Sequence, residues 1–231
     1  MSGFTLPPAE TDALDHEVKF VFPGATVEVA RTILLAACRR EAPHAASRVE
    51  TIYFDGPGLE SLDEKLGSDY RKAKIRLRWY DGGAAVWLEV KRRVGSRREK
   101  LRAPAPLDGR ELSRRSLGAP DLGCVPALLA AVGEATPPGL APAVHLAYRR
   151  ERFVEPASGL RISLDSAITP LRIAEWATAA SGIRRSAAGL RSPFLVELKG
   201  DRRDLPPALA ALAALGGRRE SFSKYSFCLL D

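Results

Sequence analysis

The stretch Arg71-Lys72-Ala73-Lys74-Ile75-Arg76-Leu77-Arg78-Trp79 alternates charge and apolar bulk at almost every step. Side chains of an extended strand point alternately to opposite faces. As a strand, this run carries Lys72, Lys74, Arg76 and Arg78 on one face and Ala73, Ile75, Leu77 and Trp79 on the other. The pattern recurs along the chain. Glu89 and Lys91 share a face within Val86–Lys91, and Lys100 and Arg102 share one across Leu101. Tyr148 with Arg150, Arg161 with Ser163 and Asp165, and Glu197 with Lys199 repeat it, while Asp15, Glu17 and Lys19 open the series.

Any one such strand reads as an ordinary solvated face of an antiparallel sheet. Seven together do not, because like charges opposite each other on neighbouring strands repel. A sheet of this kind needs an anionic partner or carboxylates set among the bases. Glu17, Glu89, Asp165 and Glu197 supply the carboxylates. The expected fold is therefore α+β: an antiparallel closed β-barrel of about eight strands, forming a polar tunnel, with helices packed outside. A lumen of lysine and arginine matches phosphate oxygens, and glutamates suit a hard divalent cation.

Turn chemistry supports the strands. Asp81-Gly82-Gly83 separates Lys72–Tyr80 from Ala85–Arg93 as a hairpin signal, and Arg97–Ala103 follows as a third strand of a meander. Thr26 stands as an N-cap before Val29, Ile33, Leu34 and Ala37, which share one helical face. Pro206–Leu215 reads as a helix ended by Gly216-Gly217. The expected organisation is a single domain over residues 1–231, with a loose leader at 1–13, a helical insertion at 104–142 and a mobile loop at 178–191.

Composition sets the outer bounds. The 231 residues include 35 Lys and Arg against 28 Asp and Glu, a net charge of +7, with 45% hydrophobic residues. That balance excludes a disordered or a membrane-embedded chain. No apolar run approaches the ~18 residues of a membrane span, and the first residues lack a secretory pattern. Cys38, Cys124 and Cys228 are too scattered for a disulfide framework or a zinc site, which points to a cytoplasmic location. There is no G-x-x-x-x-G-K-[ST] and no G-x-G-x-x-G, and His16, His44 and His145 sit beside no nucleophile pattern. The basic faces carry few aromatic residues for base stacking, so nucleic acid is not an expected partner. Trp79 and Trp87 are assigned to apolar faces and read as core.

The ordered set Thr51-Ile52-Tyr53-Phe54-Asp55, K-x-R-x-R-W-Y at Lys74–Tyr80, L-E-V-K-R at Leu88–Arg92 and K-x-R at Lys100–Arg102 resembles the VTC domain of polyphosphate polymerases. Y-R-R at Tyr148–Arg150, R-I-S-L-D at Arg161–Asp165, V-E-L-K at Val196–Lys199 and S-K-Y-S at Ser223–Ser226 continue the likeness over nearly the whole chain. That family sits among the triphosphate tunnel metalloenzymes, related to CYTH proteins, whose N-terminal signature is E-x-E-x-K. Here it reads Asp15-His16-Glu17-Val18-Lys19, departing at the first acid.

The resemblance implies an enzyme that transfers the γ-phosphoryl group of ATP to a growing polyphosphate chain, with Mn²⁺ or Mg²⁺ as cofactor. It assigns catalysis to Arg76, Arg78, Lys91, Arg150, Arg161 and Lys224. Phosphate binding falls to Lys19, Lys74, Lys100, Arg102, Tyr148, Lys199 and Ser223. Glu197 is the leading metal ligand, followed by Glu17 and Glu89. Two alternatives share the same lumen: a triphosphatase acting on inorganic, nucleoside or RNA 5′-triphosphates, and a non-catalytic polyanion-binding module. ATP or triphosphate and polyphosphate are the implied ligands, and any membrane-protein partner is a separate chain.

Overall fold

The structure is a computed structural model, and it describes residues 10–13, 17–62, 71–94, 97–181, 192–200 and 204–230. Among these residues eleven strands form one sheet: β1 Glu10–Ala13, β2 Glu17–Phe22, β3 Arg39–Arg40, β4 Ala46–Asp55, β5 Arg71–Tyr80 and β6 Ala85–Val94. They continue as β7 Arg97–Asp108, β8 Ala141–Val154, β9 Arg161–Ile173, β10 Phe194–Lys199 and β11 Arg218–Arg219. The pairing order is β1-β7-β6-β5-β4-β8-β9-β10-β2-β11, with β3 added on β8. Every ladder is antiparallel.

The expected closed barrel is corrected here. Among the described residues no ladder joins the β1 end of the sheet to the β2–β11 end, so the sheet is open by hydrogen bonding. It is nevertheless curled. Only residues 14–16 separate β1, paired with β7, from β2, paired with β10. Four Cα steps reach at most about 14 Å, so the chain itself holds the two ends near each other. The strand count also exceeds the expected one, through the short β1, β3 and β11.

Local chemistry explains the hairpins. Asp81 and Gly82 both have positive φ, 52° and 63°, and Gly83 N donates to Tyr80 O at 2.8 Å, the geometry that matches strand twist across a two-residue turn. Pro104 and Pro106 lie on β7 beyond Arg102, past the last described pairing with β1, in keeping with the confinement of proline to strand edges.

Two apolar clusters cover the outer face. The helix Val27–Ala37 and the 3₁₀ segment Pro207–Leu215 bury Leu34, Leu209 and Leu212 against Phe22, Phe153, Phe194 and Leu198. Leu209, Leu212 and Leu215 repeat every third residue, which makes a straight stripe at three residues per turn. The segment after β7 holds short helices at Gly109–Leu112, Pro120–Cys124 and Val125–Ala131, which bury Leu112, Leu122, Leu128 and Leu129 on Leu77, Trp79 and Leu88. Residues 182–191, most of the segment expected to be a mobile loop, lie outside the described residues, and 175–181 is a helix. No described helix is long and apolar enough to cross a membrane.

One helix departs from the expected outside position. Lys224–Leu230 packs its Tyr225 and Leu229 with Tyr53, Tyr148 and Leu195, residues of the inner face. It thereby delivers Lys224 to the interior.

Gly109 shows how closely the helical segment sits on the sheet. A Cβ there would collide with the Gly83 carbonyl oxygen and lie 2.7 Å from the Trp79 ring. That ring is fixed, since its Nε1 donates to Ser113 Oγ at 3.0 Å. Gly109→Ala is expected to cost about 1–3 kcal/mol, read as a fall in the urea unfolding midpoint at unchanged slope.

Candidate active site

The alternating charges turn inward, onto one concave face. Register places Arg76 opposite Glu89, Glu89 opposite Arg102, and Lys74 opposite Lys91, which is opposite Lys100. Glu89 is buried and takes four cations. Arg76 Nε and Nη2 donate to its Oε2 at 2.9 and 2.6 Å, and Arg78 Nη1 lies 3.2 Å from the same oxygen. Lys100 Nζ and Arg102 Nε approach Oε1 at 3.4 and 3.9 Å. Arg76 also donates to Tyr53 Oη at 3.0 Å, and Arg78 to Thr51 Oγ1 at 3.4 Å. Burial alone would raise the Glu89 pKa, but Arg78, Arg76 and Lys100 outweigh it and hold the carboxyl well below its ordinary range.

A second centre forms around Asp165 and Glu197. Arg150 grips Asp165 with both prongs of its guanidinium, each at 2.6 Å, and reaches Glu197 Oε2 at 2.9 Å. Lys224 Nζ lies 2.6 Å from Asp165 Oδ2 and 3.3 Å from Glu197 Oε1. Lys19 Nζ bridges Glu197 and Glu17, at 3.5 and 3.3 Å, and donates to Phe222 O. The Tyr148 ring lies beneath both Lys224, at 4.7 Å, and Arg150, at 5.5 Å. Lys74 Nζ donates to Ser223 Oγ at 2.9 Å, and Lys91 Nζ is 3.8 Å from Glu17. Burial opposes charge on Glu197, yet Lys224, Lys19 and Arg150 keep it ionised, with a pKa well below the usual carboxylate range.

With Lys199 beside Glu17 in register, ten cationic side chains share this face with Glu17, Glu89, Asp165 and Glu197. The surplus is felt locally. Burial, reinforced by Arg76 and Lys19, pulls the Lys91 ammonium down to about 7 although Glu17 opposes the shift. Burial and Arg150 lower Lys199 as well. Lys19 and Lys224 go the other way, since Glu197 with Glu17 or Asp165 raises them against burial. A polyanion would favour the charged form at Lys91 and Lys199, where burial and neighbouring cations oppose it.

Most of the residues singled out from sequence meet here. Arg161 stands apart: its side chain is 57% exposed and its Nε donates to Glu41 at 3.2 Å. Glu89 shares no cation within ion-pair distance with Glu17 or Glu197, so the three candidate metal ligands fall into two centres. Asp165 was visible in the R-I-S-L-D alternation, and its role in aligning Arg150 and Lys224 emerges only from the fold. Trp87 is a correction. It shares its face with Glu89 and Lys91, lies opposite Arg78, and joins none of the three apolar clusters. Trp79, on the other face, is fully buried in the core as expected.

A separate polar network lies on the outer face. Arg172 donates to His145 Nδ1 at 2.9 Å, which leaves Nε2 to donate to Glu50 at 3.1 Å, and Ser113 Oγ donates to the same carboxylate oxygen at 3.0 Å. With Trp79 bonded to Ser113, this network ties the helical segment to the sheet.

Among the described residues, no group of three or more His, Cys, Asp and Glu side chains gathers to hold a metal ion. Glu17 and Glu197 do share one cation, Lys19, and offer the oxygen donors that Mg²⁺ or Mn²⁺ prefers.

No curated protein sequence matches the chain. Among the solved structures that match is one from Bacillus halodurans described as "a putative adenylate cyclase", with 12% identity, a TM-score of 0.48 and coverage of 82% of each chain. The VTC domain family model matches residues 14–112 and 130–230. On that match over most of its length, the chain belongs to the VTC domain family.

Proposed function

We propose that this protein is a polyphosphate polymerase, moving the γ-phosphoryl group of ATP onto the end of a polyphosphate chain within the curled sheet, which acts as a tunnel. The observation that carries this reading is the surplus of buried cations on one concave face of a VTC domain, gathered around Glu89 and around Asp165 with Glu197.

The chemistry asks little covalent work of the protein. The bond between the γ-phosphorus and the β–γ bridging oxygen breaks, a bond from the acceptor's terminal oxygen forms, and ADP leaves. What is required is alignment and stabilisation of charge on the transferring oxygens. Arg76, Arg78 and Arg150 offer planar forks that grip pairs of oxygens, while Lys19, Lys91, Lys100 and Lys224 act as point charges. Asp165 holds Arg150 and Lys224 in place rather than touching substrate. The acceptor phosphate is already an anion, so no histidine base is needed. Glu17 and Glu197 would hold a divalent ion, which would supply further neutralisation of phosphate charge.

The test is incubation with ATP and Mn²⁺ or Mg²⁺, followed by separation of long-chain polyphosphate from orthophosphate. Chain product is expected. Orthophosphate alone would assign the same tunnel to hydrolysis, and tight triphosphate binding without either product would make it a binding module. Arg76→Ala is expected to lower turnover about 10²-fold or more, since it removes the fork anchored between Glu89 and Tyr53; unchanged turnover would remove Arg76 from the mechanism.

A further inference from the structure

Trp87 is placed where a core tryptophan does not belong. It is only partly buried, and it projects from β6 onto the face that carries Glu89 and Lys91. The Arg102 guanidinium lies 3.9 Å over its ring. Among the described residues the Arg102 Nε is buried without a hydrogen-bond partner and lies 3.9 Å from a Glu89 carboxylate oxygen. Arg78 stands opposite Trp87 in the ladder, and Arg76 is next along the same face. An indole in this setting presents a flat, polarisable surface beside a string of phosphate-binding cations.

We propose that Trp87, with Arg102, is the stacking platform for the base of a nucleoside triphosphate, so that the tunnel reads its donor as a nucleotide and not as bare triphosphate. This rests on the tunnel reading above and adds the part of the substrate that the cations do not recognise. The geometry gives it a direction. From Trp87 to Lys91 the strand advances four residues, about 13 Å, comparable with the length of an extended nucleoside triphosphate. A base on Trp87 sends its phosphates past Arg78 and Arg76 toward Lys91, Lys100 and the Glu197 centre. The γ-phosphate then arrives where Lys19 and Lys224 converge. Stacking on an aromatic face tolerates any base, and an arginine over the same ring extends the stack.

The experiment is calorimetric titration of the full chain with ATP and, separately, with inorganic tripolyphosphate, in the same metal-free buffer, where turnover does not compete with binding. Trp87→Leu is expected to weaken ATP about tenfold while tripolyphosphate changes by less than about twofold. Trp87→Phe keeps a ring and is expected to recover most of the ATP affinity. Equal weakening of both ligands would mean that Trp87 only holds Arg102 in place, and unchanged ATP affinity in Trp87→Leu would mean that no base sits there; either result overturns the proposal. A wild-type protein that binds neither ligand would instead overturn the tunnel reading itself, before any variant is compared.

Discussion

Arg150→Ala is expected to be among the most damaging single substitutions in this protein, for stability and for activity together. The guanidinium is wedged between Asp165 and Glu197, both almost fully buried, and makes three hydrogen bonds of 2.9 Å or less to them. Burial works against its charge, but Asp165, Tyr148 and Glu197 hold it protonated with its pKa raised well above normal. Truncation leaves two ionised carboxylates deep in the fold, with Lys224 and Lys19 as their remaining ion pairs among the described residues. Breaking a buried pair in this way costs about 3–5 kcal/mol. For a chain of this size that is a fall in Tm of roughly 6–20 °C. Arg150→Lys separates the two roles. It keeps the charge and much of the stability, but a lysine has no fork to span two oxygens, so turnover is still expected to drop about 10²-fold. Scanning calorimetry and a polyphosphate assay on the two variants check this. An alanine variant as stable as wild type, or a lysine variant with full turnover, would contradict the role given to the fork.

The sheet was legible in the chain because its two faces demand opposite chemistry. Ile75, Leu77 and Trp79 fill the outer core, while Arg76 and Arg78 turn inward, as the alternation requires. Closure was less legible, since alternation fixes which face a residue takes and is silent about which strands end the sheet. The placement of Trp87 went astray for a different reason. Its hydrophobicity outweighed its position, although the spacing to Glu89 and Lys91 was already in the sequence. Arg161 shows the limit of the same rule, because a correct face near the end of a strand still opens to solvent. A stronger signal lay in the choice of cation. The chain carries 27 arginines and only eight lysines. Every lysine whose side chain the structure describes, Lys19, Lys74, Lys91, Lys100, Lys199 and Lys224, belongs to the interior site. Arginine supplies the surface charge, at Arg48, Arg110 and Arg149 for example, each more than half exposed and paired with a carboxylate outside the site. Lysine appears where, on the proposed function, a compact point charge would sit among phosphate oxygens. The aligning role of Asp165 and the inward turn of the C-terminal helix had no comparable marker, for both depend on contacts between segments far apart in the chain.

Glu89→Gln is expected to convert the protein into one whose stability depends on an anion. The substitution keeps the shape of the side chain and removes the charge on which Arg76, Arg78, Lys100 and Arg102 converge. Without it, four cations repel one another across β5, β6 and β7, and an uncompensated buried cluster of this kind costs about 3–5 kcal/mol. Tripolyphosphate replaces the lost carboxylate with more oxygens than Glu89 provides, and a ligand that binds only the folded state stabilises it in proportion to its saturation. The thermal shift on adding tripolyphosphate without metal should therefore be larger in Glu89→Gln than in wild type, where the carboxylate competes for the same cations. The pH dependence has a definite sign. The folded-state pKa of Glu89 is depressed, so its contribution is fully present above the ordinary glutamate value of about 4.3 and disappears as pH falls through the lower folded value. The stability gap between wild type and Glu89→Gln should accordingly be widest near neutrality and close on acidification, as both proteins then carry an uncharged side chain at this position. Equal stability at neutral pH with equal tripolyphosphate shifts would show that Glu89 does not hold the cations in readiness, and that the anion meets them in some other arrangement.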